Sequence, residues 1–147
     1  MKGKYLIAFY GTTGSGKSTS VNYFLRLPLQ YKEESGKRIV QIDEENLKQR
    51  DQIRKNDCKI GHSAVLSETL YSRGYCIPPE ELEEDEKYLK TVVLCDHPGF
   101  GDTRGSQYEI CANLSMDRTI EVCKALRAIV LVVPFDSITA DRSSKFI

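Results

Sequence analysis

The sequence predicts an α/β domain with a mostly parallel sheet, and three observations support this prediction. The apolar run Tyr5–Tyr10 leads into a glycine-rich turn, and a helical pattern begins at Lys17. Two further apolar runs, at 88–95 and 128–133, have the length and composition of strands. Unbroken apolar runs of this length are typical of strands buried on both faces, as in parallel sheets. We therefore expect all three strands to be fully buried.

The composition is that of an ordinary globular chain. Of 147 residues, 40% are hydrophobic and 29% charged, with 21 Lys and Arg against 21 Asp and Glu. This length suffices for one domain with a sizeable core and argues against a second full domain. The balanced charge gives no overall attraction to nucleic acid or anionic lipid, so no nucleic-acid partner is expected.

No membrane span or signal peptide is expected. The apolar residues after Met1–Lys4 are too few for a signal peptide and run into the glycine-rich turn. No apolar run approaches the roughly 18 residues of a membrane helix. The five cysteines are an odd number without a C-x-x-C pair, a pattern typical of reduced thiols rather than disulfides or zinc. A cytoplasmic protein is therefore expected.

Local patterns predict the remaining regular elements. Apolar residues at helical spacing predict helices at 17–27 and 108–126. Strand-forming residues favour a strand at 70–77. The acidic connection at 78–86 is too short for a parallel crossover, so the 70–77 strand is expected to pair antiparallel with the 88–95 strand.

The segment 31–60 is the least regular part of the sequence. It is rich in both signs of charge and poor in apolar residues, so no period decides its structure. A short strand at 38–42 and a solvated helix at 44–55 are the two elements it suggests. We treat 31–60 as a charged insertion in the domain.

The turn after the first strand matches the phosphate-binding pattern G-x-x-x-x-G-K-[ST] in full. The matching residues, with the threonine that follows, are Gly11, Thr12, Thr13, Gly14, Ser15, Gly16, Lys17, Ser18 and Thr19. Amides from Gly14 to Thr19 are expected to point at phosphate oxygens, at the positive end of the helix dipole. Lys17 is expected as a surface charge that contacts the β- and γ-phosphates, and Ser18 as a Mg²⁺ ligand. The alternative is a structural glycine turn beside a surface lysine.

A second loop with functional residues follows the 88–95 strand. An acid at the carboxyl end of a buried parallel strand faces the crevice where open α/β sheets bind ligands. Asp96 is therefore expected to hold Mg²⁺, directly or through water, and Gly99 to offer an amide to the γ-phosphate. A plain turn is the alternative, because Asp-x-Pro-Gly is a good turn sequence. His97 is interpreted either as a catalytic base or as a loop residue that faces water.

Two motifs in this chain resemble those of the septin-like P-loop GTPases, which include septins, immunity-associated GTPases and chloroplast import receptors. The segment 11–19, followed by Asn22 and Leu25, is similar to the first motif of the group. The segment 96–105 is closer still, since Asp-Thr-Pro-Gly-Phe-Gly-Asp-Thr-Arg-Gly is a common form there. His97 replaces the usual threonine of that motif.

The resemblance implies roles for particular residues. Ser67-Glu68-Thr69 resembles the switch I Ser-x-Thr, so Thr69 is the implied ligand of Mg²⁺ and of the γ-phosphate. Ser67 is the fallback, and a plain loop or strand residue is the alternative interpretation of Thr69. Gly99 becomes the amide donor of switch II. The implied catalytic residues are Lys17, Thr69 and Gly99, and the implied metal ligands are Ser18, Thr69 and Asp96.

The resemblance also implies a fold and a function. Residues 1–147 are expected to be part of a G domain, a P-loop NTPase three-layer sandwich with one antiparallel strand, truncated before its last strands. The 128–133 strand would then lack its next neighbour and leave an exposed apolar edge. The Asn/Thr-Lys-x-Asp motif that recognises guanine is not found up to Ile147, so a preference for GTP and GDP is implied by the family alone. The expected function is a Mg²⁺-dependent GTP-binding and GTP-hydrolysing switch or assembly module. A homodimer or homo-oligomer through the nucleotide face is the expected partner arrangement.

Phe100 points to slow hydrolysis. It stands where Ras-like switches carry a glutamine that orients the attacking water, and a phenyl ring cannot orient water by hydrogen bonding. Turnover is therefore expected to be slow or to need a group from a partner. The alternatives are a nucleotide-binding assembly module with negligible hydrolysis, and an ATPase or small-molecule kinase on the same P-loop.

Overall fold

The computed structural model describes residues 1–49, 58–61, 69–100, 105–134 and 137. The strands are β1 (Tyr5–Tyr10), β2 (Leu29–Glu34), β3 (Lys37–Ile42), β4 (Arg73–Tyr75), β5 (Val92–Asp96) and β6 (Ala125–Leu131). The α-helices are α1 (Lys17–Phe24), α2 (Glu44–Gln49) and α3 (Ser106–Val122), and 3₁₀ helices cover Pro79–Glu81 and Glu84–Thr91.

A four-stranded mixed sheet in the order β4-β5-β1-β6 forms the centre of the described chain. β1 pairs in parallel with both β5 and β6, and β4 pairs antiparallel with β5. The prediction of a mostly parallel sheet with one antiparallel strand is therefore confirmed. Because parallel strands end at the same edge, the carboxyl ends of β1, β5 and β6 lie together there.

Helices lie on both faces of this sheet. On one face, Phe9 of β1 packs in a buried cluster with Val21 and Leu25, at the end of α1. Side chains alternate along a strand, so the next residue, Tyr10, points to the opposite face, where its hydroxyl contacts the Met116 sulfur of α3. The central strands β1 and β5 are therefore covered from both sides, as their apolar composition predicts.

The third parallel strand is not fully buried, so that expectation was wrong, whereas the exposed apolar edge expected from the truncation is present. β6 covers Ala125–Leu131, but Leu126, Ile129 and Leu131 are 42%, 61% and 63% exposed. The reason is position, because β6 is the edge of the sheet in the described structure. An apolar run predicts a strand but does not say which neighbours cover it, and an exposed apolar edge favours pairing with other chains.

Several predicted boundaries shift for local reasons. The first helix ends at Phe24 rather than 27, because Arg26 adopts a positive φ of 61°. β5 begins at Val92 rather than 88, because a capping box between Glu83 and Glu86 starts a 3₁₀ helix that runs to Thr91. β4 keeps only three residues of the predicted 70–77 strand. The 108–126 helix ends at Val122, so the last predicted residues already belong to β6.

The segment treated as a charged insertion contains a β-hairpin. The predicted strand at 38–42 is confirmed as β3, but its antiparallel partner β2 was missed. β2 is mostly exposed and polar, so it lacks the apolar signal of a strand. The dipeptide Ser35-Gly36 is the sequence signal that could have revealed the hairpin. Its two residues form the turn, with φ of 51° and 74°. The predicted 44–55 helix begins as α2, and its part beyond Gln49 lies outside the described residues.

Two further expectations concern the whole chain. None of the helices that the structure describes is long and apolar enough to cross a membrane. All five cysteines lie in the described ranges and are free thiols, as the odd count and their spacing predict.

Candidate functional site

The glycine-rich turn connects β1 to α1 at the carboxyl edge of the sheet. Gly16 caps α1 with a φ of 95°, a left-handed conformation that favours glycine. Within the turn, Thr13 Oγ1 and Ser15 Oγ are buried and have no hydrogen-bond partner among the described residues. Buried polar atoms are normally paired, so the turn keeps hydrogen-bonding capacity for a ligand.

Lys17 lies inside this turn rather than on the surface. Its side chain is only 6% exposed, and Nζ donates to the carbonyl oxygens of Gly11 at 3.1 Å and Thr12 at 2.8 Å. Burial lowers the pKa of Lys17, and the negative charge of Asp96 opposes that shift. The expectation of a surface lysine was therefore wrong, because the ammonium holds the two ends of the turn together.

Asp96 is the point where three separate parts of the chain converge. It ends β5 and is completely buried. Its Oδ2 accepts hydrogen bonds from Ser18 Oγ and Thr69 Oγ1, both at 2.8 Å, and from the Cys58 thiol at 3.2 Å. Ser18 is in the first turn of α1, whereas Thr69 precedes β4. The three residues expected to bind a metal are thus brought together.

The residues around Asp96 fit a magnesium ion. Its second oxygen, Oδ1, is buried without a hydrogen-bond partner among the described residues, so the carboxylate has an unused acceptor. Mg²⁺ prefers hard oxygen ligands and is bound in nucleotide sites by few protein groups together with phosphates and waters. One carboxylate and the hydroxyls of Ser18 and Thr69 meet this description. No group of three or more His, Cys, Asp and Glu suited to a metal occurs in the described ranges.

Sequence reasoning missed the thiol at this site. The short segment 58–61 is attached to α1 through Asn22, whose Nδ2 donates to the Cys58 carbonyl at 2.7 Å and whose Oδ1 accepts from the Cys58 amide at 2.8 Å. Burial raises the pKa of the Cys58 thiol, and the Asp96 charge adds to this. Cys58 is therefore a protonated donor at neutral pH. Asn22 is part of the resemblance to the first family motif, but nothing in the sequence links it to Cys58.

The loop after Asp96 is fastened directly to the phosphate-binding turn. The Phe100 amide donates to the Gly11 carbonyl at 3.1 Å, and the Thr13 amide donates to the Phe100 carbonyl at 3.2 Å. We call this pair of hydrogen bonds the clasp. Gly99 makes the close approach possible, because a Cβ there would lie 2.5 Å from the Thr13 nitrogen. The predicted amide donor thus lies against the turn.

His97 does not face water, so that interpretation was wrong. It is 2% exposed, its ring stacks on Tyr10 at 4.7 Å, and Nδ1 lies 2.6 Å from Ser72 Oγ. Burial, with a smaller effect from the Lys17 charge, lowers the pKa of His97 to about 4. The imidazole is therefore neutral at physiological pH. Phe100 stacks on the same Tyr10 ring, with centroids 5.8 Å apart.

Gly99→Ala should open the clasp. A methyl group would overlap the Thr13 backbone, and relieving that overlap should cost about 1–3 kcal/mol of folding stability. Hydrogen exchange should become faster at the Thr13 and Phe100 amides. Gly3→Ala is the control: its φ of 76° strains the local backbone, but a Cβ there meets nothing within 4 Å, so it should leave both amides protected. Unchanged exchange at these amides in the Gly99 variant would contradict the close approach.

The buried His97 should reduce stability in acid. An unfolded histidine binds a proton near pH 6.5, whereas the folded one does so only near pH 4. The stability that neutral His97 contributes is therefore present above pH 6.5 and is lost as the pH falls towards 4, by about 3 kcal/mol. His97→Phe should flatten this part of the curve of unfolding free energy against pH, measured without nucleotide. Tyr88→Phe, a change at a residue that is 66% exposed, is the control and should not flatten it.

The predicted residues outside the described ranges are Ser67 and the part of the second motif at 101–104. Within the described ranges, the glycine-rich turn, Ser18, Thr69, Asp96 and Gly99 lie around one edge of the sheet. Comparison with models of protein families, with curated proteins and with solved structures gives no match to this chain. The site is therefore interpreted from its own geometry and from the motif resemblance.

Proposed function

We propose that this chain binds a nucleoside triphosphate with Mg²⁺ and hydrolyses its β–γ phosphoanhydride. The observation that carries the proposal is the convergence of Ser18 and Thr69 on one oxygen of buried Asp96, whose other oxygen has no hydrogen-bond partner among the described residues. Lys17 lies beside this group in the glycine-rich turn. An ammonium, hydroxyls and a carboxylate next to a helix N-terminus are the groups that phosphoryl transfer requires.

The fold that we propose is the P-loop NTPase three-layer sandwich, with residues 1–147 forming part of a G domain. The mixed sheet, the helices on its two faces and the glycine-rich turn between β1 and α1 support it. The motif resemblance supports GTP and GDP as the nucleotides. On this proposal the hairpin β2–β3 and α2 belong to the insertion at 31–60, ahead of switch I.

Binding of the phosphates would use groups that already point into the turn. Lys17 Nζ would exchange its bonds to the Gly11 and Thr12 carbonyls for bonds to β- and γ-phosphate oxygens. The amides of Gly14 to Thr19 would donate to the remaining phosphate oxygens, that of Ser15 in exchange for its bond to the Thr12 carbonyl at 3.2 Å. Little backbone reorganisation is required, because the clasp, which this exchange leaves intact, already holds the turn in shape.

Ser18, Thr69 and Asp96 are the residues that would hold the magnesium ion. When bound, Mg²⁺ supplies charge neutralisation at the transferring phosphoryl group. Thr69 precedes β4 by a short segment, and Gly99 lies at the turn, so both could report the presence of a γ-phosphate through small movements.

Phe100 favours a second candidate function, nucleotide-dependent assembly with negligible hydrolysis. Its ring stacks on Tyr10 and offers no polar atom to an attacking water. Hydrolysis by this chain would then be slow, or a second copy bound through the nucleotide face would supply the missing group. Turnover per molecule, measured against protein concentration, separates slow hydrolysis by one chain from hydrolysis assisted by a second copy. Only the assisted reaction becomes faster per molecule as dimers form. The same measurement with ATP tests the ATPase or kinase alternative.

Lys17→Ala should weaken triphosphate binding by about 2–3 kcal/mol, the typical effect of losing a charged hydrogen-bonding group. Isothermal titration calorimetry with a non-hydrolysable triphosphate and Mg²⁺ measures the change. Lys87→Ala is the control, because its side chain is 53% exposed and pairs with the neighbouring Glu84. A melting curve for each variant shows whether the turn survives loss of the buried ammonium. Unchanged affinity for Lys17→Ala would refute the proposal.

Thr69→Ala should weaken a triphosphate analogue about tenfold and leave diphosphate affinity nearly unchanged. The reason is that Thr69 would act only on Mg²⁺ and the γ-phosphate. Thr91→Ala is the matched control, since that hydroxyl bonds an exposed carbonyl away from the site. Hydrogen exchange at 61–70 and 99–105 should slow with the triphosphate analogue but not with diphosphate. Equal protection by both nucleotides would mean that the protein binds nucleotide without switching.

A further inference from the structure

The hairpin and the first helix enclose a cavity next to the phosphate-binding turn. The cavity has a volume of about 430 Å³ and is lined by residues that include Thr19, Tyr23, Leu29, Gln30, Tyr31 and Val40. Small-molecule sites typically have volumes of about 300–1,000 Å³. The cavity is therefore large enough for a ligand, and all the residues that line it belong to α1, β2 and β3.

The cavity begins where the phosphate site ends. Thr19 lines it and is also the last residue of the phosphate-binding segment, one position after Ser18. Ser20 lines it too, and its hydroxyl donates to the Gly16 carbonyl at 3.0 Å, so the wall is anchored to the turn. A ligand whose phosphates lie on the amides up to Thr19 can therefore continue into the cavity.

The lining suits a neutral, flat group. None of its residues is charged, and two tyrosines contribute rings that are 69% (Tyr23) and 78% (Tyr31) exposed. Tyr31 pairs with Val40 across the hairpin, so both residues lie on the same face of the strand pair and both line the cavity. An aromatic ring with a free face stacks on a nucleobase, which is worth about 1–3 kcal/mol per base. The hydroxyl of Thr19 suits the hydroxyls of a sugar.

We propose that this cavity holds the nucleoside of the bound nucleotide, with the base stacked on Tyr31. The inference rests on the proposed function, because the phosphate site fixes where the nucleoside begins. It gives the charged insertion a role, since the hairpin forms one wall of the nucleotide site. Stacking uses the face that all bases share, so this contact contributes to affinity for GTP and ATP alike.

Titrations of the 147-residue chain with a non-hydrolysable GTP analogue, the matching ATP analogue and inorganic tripolyphosphate, each with Mg²⁺, test the proposal. Tyr31→Ala should weaken both nucleotides about tenfold and leave tripolyphosphate affinity unchanged. Tyr31→Phe should restore nucleotide affinity, because it keeps the ring. Tyr88→Ala is the control, because that tyrosine is 66% exposed in the 3₁₀ helix and lies outside the cavity lining.

The outcomes separate the two proposals. If the wild-type chain binds both nucleotides and tripolyphosphate, and Tyr31→Ala leaves the affinity for all three unchanged, the nucleoside site is refuted and the phosphate site stands. If Tyr31→Ala weakens nucleotide and tripolyphosphate equally, the ring acts on the phosphate site and the proposal is also refuted. If the wild-type chain binds no phosphate compound, the proposed function fails, and the nucleoside site fails with it.

Discussion

The buried carboxylate of Asp96 is the group on which the rest of the site depends. A carboxylate with no solvent contact needs hydrogen-bond donors, because burying an unpaired charge is costly. Here the donors come from Ser18 on α1, from Thr69 ahead of β4 and from the Cys58 thiol. One oxygen atom thereby connects segments that are far apart in the sequence. The hydrogen bonds to this oxygen therefore both stabilise this edge of the sheet and fix the positions of the candidate metal ligands.

A second set of contacts joins the two loops at this edge. The clasp ties Phe100 to the backbone of the glycine-rich turn, and Tyr10 carries the rings of His97 and Phe100. Tyr10 also contacts Met116 of α3 through its hydroxyl. A movement of the second loop away from the turn would therefore change the packing of α3 as well. This gives a physical route from the glycine-rich turn to α3.

Sequence patterns predict the centre of this structure better than its edges. β1, β5 and the position of Asp96 follow from apolar runs and their ends, because burial on two faces leaves a clear signal. The exposure of β6 depends on its place in the sheet, which no local pattern contains. The hairpin was missed because exposed polar strands carry no apolar signal, although Ser35-Gly36 marks its turn.

Some residues of the candidate site could likewise be predicted from the sequence, and others could not. The motif residues Lys17, Ser18 and Asp96 could be selected from spacing, because strand-turn-helix geometry brings them together. Cys58 could not, since its contact with Asp96 is made across the fold through Asn22. The burial of His97 was equally hidden, because it depends on stacking with Tyr10 rather than on its neighbours in the chain.

The sheet order has a consequence for synthesis on the ribosome. β1 begins at Tyr5, but its two partners begin only at Val92 and Ala125. At about 5–20 residues per second, the first partner strand is made roughly 4–17 s after β1. During that time the apolar residues of β1 have no strand to pair with, and this delay is inherent in parallel sheets with distant partners. The nascent chain therefore spends seconds with its future central strand exposed to chaperones.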